Sequence, residues 1–549
     1  MRRRKPEWLE LDIEELKAFL DRVKAVVNAE DYKTLKAVVE TLVWLIGELK
    51  QERVTVARLR MFLGMKKTEK TSKVLIQERQ GAHGPEPHSA AEEKSGEKAK
   101  KKRKGHGRNG AAAYWGAERV TVPHESLTSG DSCPECEKGK VYAKREPSVL
   151  VHVRGQAPLQ ATAYERETLR CNLCGEVFRA KAPEDVGEER YDETAVSMIA
   201  LLKYGSGVPF NRLQTLEGNL GIPLPASTQW DIVAKRAPDI APAYEELIRQ
   251  AAQGEVFHND DTGMKILTLM AENEQIQAAS SKERTGMFTS GIVSIGEGHQ
   301  IALFFTGRQH AGENLADVLA QRASELDPPI HMCDGLSRNE PKDFETILAN
   351  CVTHGRRKFV EVADSFPEEC RYVLETLRQV YKHDAMARDQ KMSAQERLRF
   401  HQAHSAELME DLKRWMTEQI EDKKIEPNSG LGEAISYMDK RWDKLTLFLR
   451  KPGAPLDNNT CERALKKAIL HRKTALFYKT KKGARVGDIF MSLIYTTELS
   501  GANPFDYLTK LLKHSEQVRR SPHEWMPWNY QATAAAMAEA RSPPSRASS

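Results

Sequence analysis

Apolar positions along the chain recur with two periods, and the places where one gives way to the other divide it into segments. Leu16, Leu20, Val23 and Val27 form a helical stripe that breaks near Asn28–Asp31. Leu35, Val38, Leu42, Leu45, Leu49, Val56, Leu59 and Leu63 then follow at alternating spacings of three and four, with one position missing at Glu52. That spacing predicts a coiled coil and hence a homo-oligomer, at least a dimer. An amphipathic helix packed on its own domain is the simpler alternative. Helical patterning returns over 192–252, where Val208–Gly218 and Ser227–Arg236 bracket the turn GIPLPA and Ser227 is placed to cap the second helix. A helix-turn-helix reader of DNA fits this pair, and so does ordinary helix packing, because the second helix is only weakly basic. The pattern next becomes strand-like over Val256–Asp260, Met287–Ile295 and Gln300–Thr306, helical over Glu313–Ala323, and strand-like again over Pro329–Asp334. Charge-rich helices are expected from Glu361 to Phe448, and a last apolar helix at IFMSLIYTTELS. The interval between Asp334 and Glu462 is too long for a loop and reads as a helical insertion.

Two stretches have no periodicity. Over 66–112, Gly, Pro, Ser, Glu and Lys dominate, so a disordered linker is expected. Its almost purely cationic run, with Lys100, Lys101, Lys102, Arg103 and Lys104 at the centre, suits contact with a phosphate backbone. From Gln531 to Ser549 the chain is rich in Ala, Ser and Pro and also reads as disordered. The fold class expected is therefore a multidomain α/β protein. In order, it comprises a helical oligomerisation region (1–65), a basic linker (66–112), a DNA-binding zinc ribbon (113–185), a helical region (186–252), a core in two parts (253–360 and 449–515) split by a helical insertion (361–448), and a tail (516–549).

Composition narrows the class. Charged residues make up 29%, mean hydropathy is −0.58 and formal net charge is only +5, so the distribution of charge says more than its sum. There is no run of the ~18 apolar residues a membrane span needs. The basic start MRRRKPEW leads into acidic LELDIEEL rather than an apolar signal region, which argues for a cytoplasmic protein with no membrane partner. The eight cysteines divide into two close pairs and four singles, a usage that suits a reducing compartment and one metal site. Cys133-Pro-Glu-Cys136 and Cys171-Asn-Leu-Cys174 each fit a knuckle turn, and four thiolates satisfy tetrahedral Zn2+ in a closed, structural site.

Three carboxylates carry the candidate chemistry. In LDNNTCERALKKAILHRK, Asn459 is placed to cap a helix and Glu462 to complete a capping box, while Arg463, Lys466, Lys467, Arg472 and Lys473 make the exposed side basic. Glu462 could simply serve the cap. A carboxylate amid cations would also hold a metal ion beside a polyanion, given partner acids elsewhere. GEVFHNDDTG supplies His258, Asp260, Asp261 and Thr262 at the end of a strand, and PIHMCDGLSRNE supplies Asp334 at the end of another. Mg2+ (or Mn2+) is held by a few carboxylates plus substrate phosphate, and paired ions support phosphoryl transfer. His258, His331 and His354 also fall near the acids, which raises a mixed His/carboxylate zinc hydrolase, although none has HExxH spacing. Cys333 and Cys461 read as small buried neighbours. DETAV at Asp192–Val196 opens a helix and does not end a strand, so it is set aside.

HNDDT, CDGLSRN and DNNTCERALKKAILHRKTALF resemble, in order and wording, the three catalytic segments of the insertion-sequence 66 family of transposases. The resemblance runs from about Arg58 to Trp528. It implies a DDE enzyme on a ribonuclease-H-like core, with Asp260, Asp334 and Glu462 as acidic triad and magnesium ligands. It also implies double-stranded DNA as partner, both terminal inverted repeats and target, and leaves room for accessory proteins of the element. The family usually reads Asp-Glu-Thr in the first segment; here Asp260-Asp261-Thr262 leaves Asp261 as an alternative ligand. The HGRRKF stretch resembles a family segment on the core's last strand or the helix after it, and places Arg356, Arg357 and Lys358 beside Lys466, Arg472 and Lys473 as DNA contacts. A non-catalytic zinc-ribbon regulator derived from a transposase is the alternative from another class.

Overall fold

A computed structural model describes residues 23, 30, 32–37, 39, 119–144, 149–174, 176–181, 183, 189–278 and 284–541. Tyr32–Ala37 are helical, and the rest of the expected coiled coil lies almost wholly outside the described residues. So do the basic linker and its cluster Lys100–Lys104. The chain divides into two compact units: Gly84–Lys181 with Leu216–Pro223, and everything else.

In the smaller unit the two regular strands are short. β1 (Thr168–Arg170) and β2 (Val177–Arg179) form an antiparallel hairpin. Its turn carries Cys171 and Cys174.

The larger unit begins with α1 (Glu193–Ala200), whose N-cap Asp192 accepts a hydrogen bond from Ala195 N, so DETAV opens a helix as expected. A π-helical turn (Leu201–Gly205) leads to α2 (Phe210–Asn219) and the long α3 (Ala226–Ala251). Ser227 is not the cap of α3: the helix starts one residue earlier, behind Pro225, with no side-chain cap. Ile232, Val233, Ile240, Tyr244 and Leu247 of α3 are buried, and the Tyr244 hydroxyl donates to Phe304 O (3.2 Å). This helix is therefore spent on packing along much of its length.

The sheet follows. β3 (Val256–Gly263), α4 (Leu267–Ala278), β4 (Phe288–Gly296), β5 (His299–Gly307), α5 (Ala311–Leu319), β6 (Ile330–Cys333) and β7 (Ile347–Asn350) keep the expected order of strands and helix, with ends shifted by a few residues, and add α4 and β7, which the apolar pattern did not predict. The strands run β5-β4-β3-β6-β7; the first three pair antiparallel, and β6 and β7 add in parallel. HGRRKF lies on α6 (Val352–Val362), the helix after the last strand. Helices α7 (Pro367–Asp389), α8 (Ala394–His404), α9 (Ala406–Glu421), α10 (Gly430–Asp439) and α11 (Trp442–Leu445) fill the interval before the third acidic segment. Leu374, Leu377, Met409, Leu412, Leu431, Met438 and Phe448 of this region share one buried cluster with Ile330, Met332 and Ala349 of the sheet. The helical insertion is thus built onto the parallel half of the sheet through a common core.

Then come α12 (Asn459–Ala475), α13 (Lys481–Leu499), α14 (Pro504–Lys513), α15 (Ser515–Arg520) and α16 (Tyr530–Arg541). The edge strand β5 would expose a row of amide groups. α13 covers it. Asp488 Oδ2 accepts from Thr306 N (2.8 Å), Ser492 Oγ from Phe304 N (3.0 Å) and Thr496 Oγ1 from Ala302 N (3.1 Å). Four residues of helix rise about 6 Å and two of strand about 6.8 Å, so a polar residue at every fourth position of α13 meets every second amide of β5. The expectation of disorder from Gln531 fails over α16. Alanine-rich sequence is the strongest helix former, and the Tyr530 hydroxyl anchors this helix to Asp506 (2.8 Å) beside fully buried Trp525.

Candidate active site

The acidic residues meet because of register. β3 and β6 pair in parallel as Val256↔Ile330, Phe257↔His331 and His258↔Met332, and continuing by two residues sets Asp260 beside Asp334. Across the other edge of β3, Asp260 faces Gly291 and Asp261 faces Ser290. Neighbours on a strand point to opposite faces. On the Asp260 face lies α12, and Gly291 allows it to come close: a Cβ there would sit 3.0 Å from Leu465 and 3.5 Å from Cys461 Sγ. The Cys461 thiol donates to Gly291 O (3.2 Å), so Glu462 on the next position of α12 reaches the Asp260 side. On the Asp261 face lies the start of α5. Asp261 Oδ2 is 2.7 Å from His310 Nδ1, and its Oδ1 is 3.6 Å from Arg338. Asp261 is thus taken up by partners of its own, an imidazole and a guanidinium.

Asparagines hold the acids in place. The Asn339 amide donates to Asp334 Oδ1 (2.9 Å) and reaches Asp260 Oδ1 at 3.5 Å, and Asn339 O accepts from Asn259 Nδ2 (2.8 Å). The turn bearing Asn339 sits on Gly312 of α5, where a Cβ would come 2.4 Å from Glu340 O and 2.7 Å from Arg338 O. Asn458 donates from Nδ2 to Asn259 O (2.9 Å) and from its backbone N to Cys351 Sγ (3.2 Å), and its Oδ1 is 3.1 Å from His258 Nδ1. His331 Nε2 closes the network on Asn259 Oδ1 (2.9 Å). These five side chains are buried. Burial pushes His258 down to about 4 and His331 to about 3, so both serve as neutral network members.

Asn458, not Asn459, is the N-cap of α12, and its side chain is committed to β3 instead of the helix. Asp457 takes the first turn instead, with Oδ1 accepting from Asn459 N (3.1 Å). The expected capping box is therefore absent, and Glu462 is not used as a cap.

The acids are short of positive charge. Burial first, then the charges of Asp334, Asp261 and Glu462, push the Asp260 carboxyl up to about 7, against the lowering effect of the Asp261 amide. A cluster of oxygen donors with uncompensated negative charge fits a hard divalent cation. The sign for stability follows from linkage. Asp260 binds its proton more tightly folded than unfolded, where its ordinary value is 3.8. Its charging therefore costs stability as pH rises from about 4 to about 7. Without added divalent metal, Asp260→Asn should melt higher than the unsubstituted protein at pH 8, and the gap should close towards pH 4, as read by differential scanning calorimetry. An equal gap at both pH values would contradict this electrostatic account.

Among the described residues, the histidine, cysteine and carboxylate atoms that converge most tightly are those of Cys351, His354 and Glu462, all within 4.8 Å of one another. Asp260, Asp334 and Glu462 do not form such a group. No three of Cys133, Cys136, Cys171 and Cys174 come that close. Each pair nonetheless sits in a formed turn, with Cys133 N donating to Gly139 O (2.8 Å) and Cys171 N to Glu176 O (2.8 Å). Backbone hydrogen bonds from Lys138 and Gly139, then the Cys133 thiol, hold the Cys136 thiol below its usual range.

The candidate DNA contacts divide by exposure. Lys358, Lys466 and Lys473 are exposed, Arg357 is half-buried and Arg356 is buried. Arg472 is tied to the end of β3, donating to Thr262 Oγ1 (2.9 Å) and Gly263 O (2.7 Å). Sequence reading missed Asn339, Asn458, His310 and the rim beside Asp334. There the Tyr437 hydroxyl donates to Asp334 O (3.1 Å), and Arg441 lies 4.3 Å and Lys358 5.8 Å from the Tyr437 ring. The repeated asparagines flanking each acid were the available signal.

A sequence model described as "Transposase IS66 family" matches residues 188–486, more than half of the chain. The protein belongs to the IS66 transposase family. It is similar to two proteins of Sinorhizobium fredii (strain NBRC 101917 / NGR234) that carry only the names uncharacterized protein y4hP and uncharacterized protein y4jD. Identity to the first is 25% over 390 residues, 68% of each chain. Identity to the second is 31% over 189 residues, 34% of this chain and 36% of the other. No solved structure matches. The IS66 domain thus contains all three acids and the insertion between them. Among the described residues no helix is long and apolar enough to cross a membrane.

Proposed function

We propose that this IS66 protein is an active DDE transposase, which cuts DNA at the ends of a mobile element and joins the freed 3′-hydroxyls to target DNA. The observation that carries the reading is the placing of Asp260, Asp334 and Glu462 near enough that, after burial, the charges of the other two help push the Asp260 carboxyl up to about 7. The strand order β5-β4-β3-β6-β7, with one acid within the sheet's first strand in sequence, one just after its fourth and one on a later helix, supports a ribonuclease-H-like core.

Asp260, Asp334 and Glu462 would hold Mg2+ or Mn2+. When bound, such ions make water or a 3′-hydroxyl a better nucleophile and offset charge on the phosphate. The chain's own part is positioning. Asn339 keeps Asp260 and Asp334 together against their repulsion, and Asn458 fixes the first turn of α12, and with it Glu462, against β3. Asp261, His310 and Arg338 support the reverse face of the same strand. Lys358 and Arg441 at the Asp334 rim, with Lys466 and Lys473 on α12, offer cationic contacts to the phosphates of the duplex. Lys100, Lys101, Lys102, Arg103 and Lys104 would add contacts from outside the described residues.

The test is cleavage and joining of a duplex carrying the element's terminal repeats, expected with Mg2+ or Mn2+ and absent with Ca2+ or no divalent ion. Sequence-specific binding without nicking under any divalent ion would favour a non-catalytic regulator instead.

We further propose that Cys133, Cys136, Cys171 and Cys174 close around one structural Zn2+ in a DNA-binding ribbon. Purified protein should then contain zinc. Chelation should expose residues near 115–180 to protease while leaving the acidic core resistant, as expected where metal binding supplies folding free energy. An unchanged digestion pattern would remove the ribbon.

A further inference from the structure

Glu462 lies between two donor sets of different chemistry. On one side are the carboxylates of Asp260 and Asp334. On the other are the Cys351 thiol and the His354 imidazole, whose ligand atoms lie with a Glu462 oxygen inside 4.8 Å. The second set is built by the fold. Cys351 is the N-cap of α6, and His354 stands three residues on, in its first turn, so both face the start of α12. Cys351 is 1% exposed, and its Sγ accepts the Asn458 backbone N–H (3.2 Å). His354 and Glu462 are half-buried, which leaves the group open on one side.

We propose that Cys351, His354 and Glu462 form a second cation site, suited to a thiophilic divalent ion of the Zn2+ class, and that filling it withdraws Glu462 from Asp260 and Asp334. A sulfur, a nitrogen and an oxygen ligand with a fourth position open is a donor set zinc accepts. Mg2+ prefers oxygen alone, so the two sites sort their ions by ligand softness. Binding releases the thiol proton to solvent, and no other bond changes. Because one carboxylate serves both sets, the zinc-class ion and the magnesium-class ions compete. This inference rests on the triad reading for its competition, and on the Cys351–His354–Glu462 group alone for its binding.

The experiment uses the full chain carrying one equivalent of Zn2+, enough for the four paired cysteines. Cd2+ is then titrated, and its thiolate charge-transfer absorption is followed. A further equivalent should bind with new sulfur absorption. It should be lost in Cys351→Ser and in His354→Gln, each with an unchanged circular dichroism spectrum. Absence of that equivalent in the unsubstituted protein, or its survival in Cys351→Ser, would overturn the site. Competition is read separately by electron paramagnetic resonance of bound Mn2+. Zn2+ beyond the first equivalent should release Mn2+ from the unsubstituted chain and fail to do so from His354→Gln. Mn2+ that stays bound while the second Zn2+ enters would overturn the sharing of Glu462. Failure of Mn2+ to bind at all would instead count against the triad, with the Cd2+ signal still deciding the second site.

Discussion

Glu462→Gln should abolish DNA cleavage and joining while leaving DNA binding and thermal stability in place. Glu462 donates its backbone N–H to Asn458 O (3.1 Å), a bond glutamine keeps, and the side chain caps nothing, because the N-cap of α12 has no side-chain cap bond. The stability change should therefore stay within about 0.5 kcal/mol, as for substitutions away from packed or capped positions. The chemistry has no such tolerance. Lewis-acid stabilisation is worth several kcal/mol, and each 1.36 kcal/mol is tenfold in rate, so cleavage should fall by roughly 10³-fold or more. Asp260→Asn and Asp334→Asn should match it. Asp261→Asn should cost cleavage no more than about 10–100-fold, a loss of the size a supporting partner gives, since Asp261 is engaged by His310 and Arg338 on the other face. The decisive measurement is single-turnover nicking of end-sequence DNA beside a binding isotherm for each variant. Cleavage that survives Glu462→Gln, or that Asp261→Asn destroys and Asp260→Asn spares, would break the assignment.

Asn458→Ala should be the most damaging small substitution near the site. It removes the acceptor of His258 Nδ1 and the donor to Asn259 O, both deep in the sheet. A buried polar group left unpaired costs about 1–3 kcal/mol, so the pair should lower stability by roughly 2–6 kcal/mol. Urea unfolding should show a lower midpoint with an unchanged slope. Cleavage should drop as well, because the same side chain fixes the first turn of α12. Asn458→Asp keeps the acceptor for His258 but loses the donor, and should recover part of the stability. If Asn458→Ala unfolds at the midpoint of the unsubstituted protein, the network does not hold the helix.

The apolar periods were enough to place β3, β4, β5, α5 and β6 in order, though not α4 or β7, and the three acidic segments named the acids, by resemblance, with Asp260 and Asp261 still both open. Local rules reach that far because a strand's alternation and a helix's stripe are written in neighbouring positions. They stop where a choice depends on a partner far along the chain. Local sequence favours Asn459 as the cap because Glu462 stands three residues on, and the partners His258 and Asn259 on β3 override it in favour of Asn458. Asp260 and Asp261 point to opposite faces of β3 in any strand. Which face meets α12 depends on Gly291 of the adjacent strand, the position with room for Leu465 and Cys461. The alanine-rich end read as disorder because its helix has little core of its own, yet Tyr530 anchors it to Asp506. The grouping of Cys351 and His354 with Glu462 follows the same principle: a short segment fixes which residues a helix end presents, and only the packing of α6 against α12 brings three different donors to one point.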